Sequence, residues 1–217
     1  MPKEYAPLFA GAADVLATHR GFDLGALGVA RAFARRLGVT PFTATATRLV
    51  VDLNRSPGNR NLFSAYTRPL TPAQRGEALA KHYWPYRTAV DDCVAAAVAA
   101  RETVLHVSAH SFTPTLRGEV RHCDVGFLYD PRRRGEVRFV GAWYAALQAA
   151  APELVLRRNY PYRGVSDALV TQLRRRYGSR GYVGMELEVN QKHVGSRGWR
   201  ALVAVLGATL EAAVEHS

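Results

Sequence analysis

Cysteine, lysine and methionine are all scarce in this 217-residue chain, which holds two Cys, three Lys and two Met. Two cysteines, Cys93 and Cys123, are too few for the disulfide framework of a small secreted domain. No apolar run approaches the roughly 20 residues needed to cross a bilayer. The opening stretch MPKEYAPLFAGAADVLATHRG has no basic n-region, apolar h-region or cleavage site of a signal peptide. These absences lead us to expect a cytoplasmic protein with no membrane partner.

Acidic residues are also in the minority. Against 29 basic residues stand 18 acidic ones, so the formal net charge is +11. Such an excess suits a polyanion such as nucleic acid. However, 26 of the basic residues are Arg, a bias expected of a GC-rich coding sequence. The triplets Arg132-Arg133-Arg134 and Arg174-Arg175-Arg176 sit in different segments. Neither is interleaved with the aromatics that single-strand binders use. Solvated surface is the expectation, with no nucleic-acid partner.

What is present is ordinary for a globular protein: 48% hydrophobic and 22% charged residues. The length fits one domain with a sizeable core, and no repeat or linker divides it, so residues 1–217 are expected to form a single domain. Helical and strand patterns alternate. LGALGVARAFARRLG, 24–38, carries apolar positions 27, 30, 33, 34 and 37 and closes on Gly38, which predicts a helix. PFTATATRLVVDL, 41–53, is β-branched and reads as a strand. Residues 72–101 read as one long helix after a Thr71-Pro72 start. Strands are predicted at 103–109, 124–129, 154–158 and 182–189, and helices at 136–150, 166–177 and 196–215. Strands separated by helices predict parallel pairing through crossovers, hence an α/β fold.

Functional groups in such sheets collect beyond the carboxyl ends of the strands. Here those ends read DLNRSPGNRNLF after 41–53, His110-Ser111-Phe112-Thr113 after 103–109, Asp130 after 124–129, RNYPYRG after 154–158, and ELEVNQ in 182–189. Alternation puts His106, Ser108 and His110 on one strand face. His110, at the end, can ligate zinc or move protons, whereas His106 is expected to be a satisfied core histidine. Glu186 and Glu188 likewise share a face on an otherwise apolar strand. Buried carboxylates there need cations or a metal, and partial burial makes a good general base; a structural ion pair to arginine is the alternative. Asn54 with Arg55, and Asn159 with Arg163, bring two guanidinium groups to loops, suited to bidentate capture of a substrate carboxylate. Loop anchoring is their alternative role. Asp23 in HRGFD is either a helix cap or a functional carboxylate. His122, Cys123 and Asp124 are adjacent, so on extended chain they point apart and are not expected to bind one ion.

Taken together, VDLNRSPGNRNLFSAYTRPL, HVSAHSFTP, DVGFLYDP, RRNYPYRGVSDAL and GMELEVNQ resemble the N-formylglutamate amidohydrolase family, with its deformylase-like members. The resemblance runs from about residue 5 to 191. It implies a three-layer α/β sandwich with a mainly parallel or mixed sheet, like zinc carboxypeptidases and aspartoacylase-like enzymes. It implies hydrolysis of the amide of an N-acyl amino acid, such as N-formylglutamate, by metal-activated water. It makes His110 and Asp23 ligands of one zinc ion per chain, Arg55 and Arg163 holders of substrate carboxylates, and Glu188 or Glu186 the group that activates water. Members of that family begin with a strand ending in a CEHGGN-like turn that supplies a further zinc ligand, and the pattern here starts at YAPLF. His19 could substitute. The alternative expectation is a degenerate chain that lacks zinc and binds N-acyl amino acids or other small carboxylates without cleaving them.

Overall fold

The computed structural model describes residues 2–179 and 181–215. Its elements, in chain order, are a 3-10 segment Lys3–Phe9, α1 Ala13–Leu16, α2 Ala26–Leu37, α3 Pro72–Ala78, a π turn Leu79–Tyr83, α4 Trp84–Ala99, β1 Val104–Phe112, β2 Thr115–Leu116, β3 Glu119–Val120, β4 Val125–Leu128, α5 Arg134–Ala150, β5 Leu156–Arg158, α6 Leu169–Tyr177, β6 Tyr182–Asn190, a 3-10 turn Gln191–His193 and α7 Trp199–Glu215. The main sheet has the order β1-β6-β4-β5, and β2 pairs with β3 in a small hairpin.

Helices cover both faces, giving three layers. On one face α2, α5 and α7 supply Phe33, Trp143, Leu206 and Leu210 against Phe127, Met185, Leu187 and Val189. Trp143 is fully buried, with the rings of Phe33, Phe127 and Phe139 within 6 Å. On the other face α4 and α6 pack Val90, Val94, Leu169 and Leu173 onto Tyr182. The predicted stripe of α2 is rotated by about one position, since the buried residues are Ala26, Val29, Phe33 and Ala34. Gly38 closes the helix at φ 66°, a conformation that a side chain disfavours.

Three expectations are corrected. Residues 41–53 form no strand. Val50 and Val51 are fully buried, but among Tyr5, Phe9, Leu62 and Tyr83. The backbone bonds of this segment go to turns and loops, Arg48 N to Gly21 O, Val50 N to Thr47 O and Asp52 N to Leu62 O. Burial is what β-branched residues require, and here it comes without a neighbouring strand. Second, the helix predicted over 72–101 is interrupted at Leu79–Tyr83, just before Pro85. Proline lacks the amide for a regular bond, and a wide turn absorbs the defect.

Third, the parallel pairing read from the alternation of strands and helices holds only in part, and the sheet is mixed, within what the family resemblance implied. β1 and β6 are parallel and β4 and β5 are parallel, but β4 runs antiparallel to β6. No helix separates β1 from β4, only the β2–β3 hairpin. A parallel return needs a crossover that carries the chain to the other end of the sheet. Without one, β4 starts where β1 stops and runs back. Asp130 therefore lies at the end of the sheet opposite to His110, paired bidentately with Arg132.

Candidate active site

One face shared by β1 and β6 changes character along its length. Val104 and Tyr182 begin it, packed beneath α4 and α6. His106 comes next, beside Gly184. A Cβ at Gly184 would lie 2.6 Å from the Tyr182 hydroxyl, so glycine is what lets that phenol reach across to His106 Nδ1, at 2.7 Å. Burial, and then the charge of His110, depress the His106 pKa to about 4. His106 is thus the satisfied, supporting histidine of the strand.

Ser108 then sits beside Glu186, and His110 beside Glu188. The period of two along each strand and the parallel register together gather four polar side chains into one patch. His110 Nδ1 lies 2.7 Å from Asp23 Oδ2. Its Nε2 faces Ser108 Oγ at 3.0 Å and Glu186 Oε1 at 3.5 Å. Burial alone would lower the His110 pKa; the bond to Asp23 and the charges of Asp23, Glu186 and Glu188 override it and hold the ring at about 9. Burial raises Glu188 to about 8, moderated by the His110 charge. Glu188 Oε2 is buried with no hydrogen-bond partner among the described residues. Glu186 instead accepts from Asn54 Nδ2 at 2.8 Å.

The loops deliver the remaining groups. Asn54 is fixed at its other end by the Leu169 amide, 2.9 Å from Oδ1, so it orients Glu186. Arg55 donates to the Asp167 carbonyl at 2.5 Å. Asp167 in turn accepts from Ser56 N and Asn59 Nδ2, which joins the 52–59 loop to the 159–168 loop. Asn159 Oδ1 accepts from the amides of Tyr129 and Gly164, and so shapes that loop from within. The loop crosses the sheet over Gly126, where a Cβ would lie 2.0 Å from the Tyr160 carbonyl oxygen. It thereby brings Arg163 to a cavity of about 280 Å³ that also touches His19, Asp23, Arg55, His110, Glu186 and Glu188. The exposed Arg163 guanidinium makes no hydrogen bond or ion pair within the described residues.

Arg48 is the functional-looking residue that sequence reasoning missed. It donates to Asp23 at 2.8 Å and to Asp52 at 2.9 Å. It helps keep Asp23 ionised: burial would raise that pKa, but His110 and Arg48 bring it below the usual carboxylate range. Only the four-residue spacing from Asp52 hinted at it. The adjacent His122, Cys123 and Asp124 do not converge. His122 is exposed, while Asp124 binds the Val155 amide, Lys192 and His193.

Asp23 and His110 are thus brought together, joined by a direct hydrogen bond of 2.7 Å. Two ligands around one zinc ion stand only slightly farther apart. No group of three His, Cys, Asp or Glu side chains arranged for a metal ion occurs among the described residues.

The chain matches, over its whole length and 86% of the other chain, the gene product Atu2144 of Agrobacterium tumefaciens, at 28% identity and a TM-score of 0.82. It matches the N-formylglutamate amidohydrolase of Ralstonia eutropha JMP134 over 88% of this chain and 81% of that one, at 19% identity and a TM-score of 0.62; at that identity the likeness concerns the fold. No curated protein sequence matches. The family model for N-formylglutamate amidohydrolase covers residues 1–194, and the chain belongs to that amidohydrolase family.

Proposed function

We propose that the chain hydrolyses the amide bond of a small N-acyl amino acid, N-formylglutamate being the first candidate. The observation that carries this reading is the unpartnered Oε2 of Glu188 beside His110, in a cavity that also receives the free guanidinium of Arg163. Arg163 takes a substrate carboxylate in its fork, and Arg55, already anchored to Asp167, supports it from the neighbouring loop. The acyl carbonyl then lies over the His110–Glu188 patch. Glu188, a stronger base than a solvated carboxylate because it is buried, takes a proton from the attacking water at Oε2 and returns it to the departing amine. Asn54 holds Glu186 away from that role.

Zinc fits the chemistry of Asp23 and His110, which would hold it as two of its ligands. When bound, it would supply a water of lowered pKa and a polarised carbonyl. The purified chain should release formate from N-formylglutamate and carry about one zinc per chain. Release of neither the carboxylic acid nor the free amino acid from any small N-acyl amino acid, even with added zinc, would refute the hydrolase reading. A second reading is favoured by the incomplete ligand set among the described residues. In it the chain binds N-acyl amino acids through Arg163 without cleaving them, and calorimetry would show binding without turnover or metal.

A further inference from the structure

The two arginine triplets are far apart in sequence, yet the fold brings them together. β4 runs opposite to β6, so Asp130 and the Arg132-Arg133-Arg134 turn lie at the end of the sheet away from Glu188. α6 descends to the same end and brings Arg174 and Arg175. Arg132, Arg133, Arg174 and Arg175 line one cavity of about 170 Å³, with Asp130 and Thr171.

The charges there do not balance. Asp130 holds Arg132, and the buried Glu136 faces both Arg133, at 3.0 Å, and Arg174, at 2.8 Å. Four guanidinium groups thus meet two carboxylates. Arg133 Nε approaches Glu136 without the alignment of a hydrogen bond and is buried without a hydrogen-bond partner. The Arg175 side chain has no hydrogen bond or ion pair among the described residues. Arg133 is also the N-cap of the 17-residue α5, which no side chain caps, so the positive end of a helix adds to the field.

We propose that this cavity binds a small oxyanion of the phosphate class. Arg133 and Arg174 also donate to the Gly178, Tyr182, Gly164 and Gly184 carbonyls, so the excess is one of charge, with Arg175 the guanidinium left open to a ligand; such an excess in a concave site suits phosphate oxygens. The volume is below the roughly 300–1,000 Å³ of pockets for drug-sized ligands, which points to a small anion and not a nucleotide. The site also borders the substrate loop. Val165 lines it, Arg163 lines the catalytic cavity, and between them the Gly164 carbonyl accepts from Arg174. An anion seated here would steady the segment that presents Arg163.

Titration calorimetry with inorganic phosphate, in low-salt buffer free of other oxyanions, tests the proposal. One saturable site per chain is expected. Arg175→Glu should weaken it by about tenfold or more, the scale of one lost charge-assisted bond. Arg200→Glu on α7, the same change of charge elsewhere on the surface, should leave it intact, and so should Arg163→Ala. Arg175 and Arg200 are exposed, so neither change threatens folding. Equal losses in Arg175→Glu and Arg200→Glu would reduce the effect to net charge and overturn the site. Loss in Arg163→Ala alone would place the phosphate in the catalytic cavity and overturn it too. An oligonucleotide that binds in an Arg175-dependent way, where inorganic phosphate does not bind, would reassign the cluster to nucleic acid.

Discussion

At the scale of single residues, Glu188 and Glu186 are chemically identical and separated by one position, yet their surroundings divide the work. Glu186 is spoken for by Asn54, and Glu188 keeps an oxygen free. Glu188→Gln should therefore lower turnover by about 10²–10⁴-fold, the usual contribution of a general base. It should leave the melting temperature unchanged or raised, because a buried carboxylate has been removed. Glu186→Ala should show the opposite balance, costing about 1–3 kcal/mol of stability because the Asn54 donor loses its acceptor. Steady-state kinetics and thermal melts on both variants check the division. His106 gives a prediction in pH. Its folded pKa, about 4, lies below the ordinary 6.5. The unfolded chain therefore binds the extra proton more readily, so stability is full above pH 6.5 and falls as the pH drops toward 4. His106→Gln should flatten that part of the stability curve, as denaturant titrations at pH 7 and pH 5 would show.

At the scale of elements, the site depends on two loops tied through one residue, by its side chain and its backbone carbonyl. Asp167 accepts from Ser56 and Asn59, and its carbonyl receives Arg55. Asp167→Ala leaves the Ser56 amide and Asn59 amide group without this acceptor, a cost of about 1–3 kcal/mol. Because the tie positions arginines and not the proton-transfer group, KM should rise more than kcat falls. An equal fall in kcat with KM unchanged would show that the loops shape the chemical step itself. The same tie lets the role proposed for Arg55 be tested by residue type. Arg55→Lys keeps the charge but loses the planar fork, and should weaken binding of substrates with a free carboxylate more than that of their neutral amides.

At the scale of the whole molecule, one face of the sheet is devoted to stability and the other grades from packing to chemistry. Trp143 links the layers of the first face, with its Nε1 donating to Thr209 on α7 at 3.1 Å. Trp143→Ala should cost about 3–5 kcal/mol, seen as a lowered denaturant midpoint. The His110–Glu188 patch lies on the opposite face, so whatever folded fraction remains should keep its substrate affinity. No helix of the described residues is long and apolar enough to cross a membrane.

The sequence by itself determined the residues' local arrangement. Alternation placed His106, Ser108 and His110 together on one face of their strand, and Glu186 and Glu188 together on one face of theirs, because a strand's side chains change sides at every step whatever it pairs with. The helices from 134 onward were legible for the same reason, since an apolar stripe and its breakers are local signals. The motifs also carried the family. The tertiary structure alone decided what met what. The register that sets His110 against Glu188, the bond from His110 to Asp23 across 87 residues and the bridging role of Arg48 all come from long-range pairing. So do the reversed direction of β4, which followed from a hairpin where parallel pairing would need a crossover, and the burial of Val50 and Val51 without a strand. Burial and hydrogen bonding can be satisfied by many partners of similar chemistry, and only the packed chain selects among them.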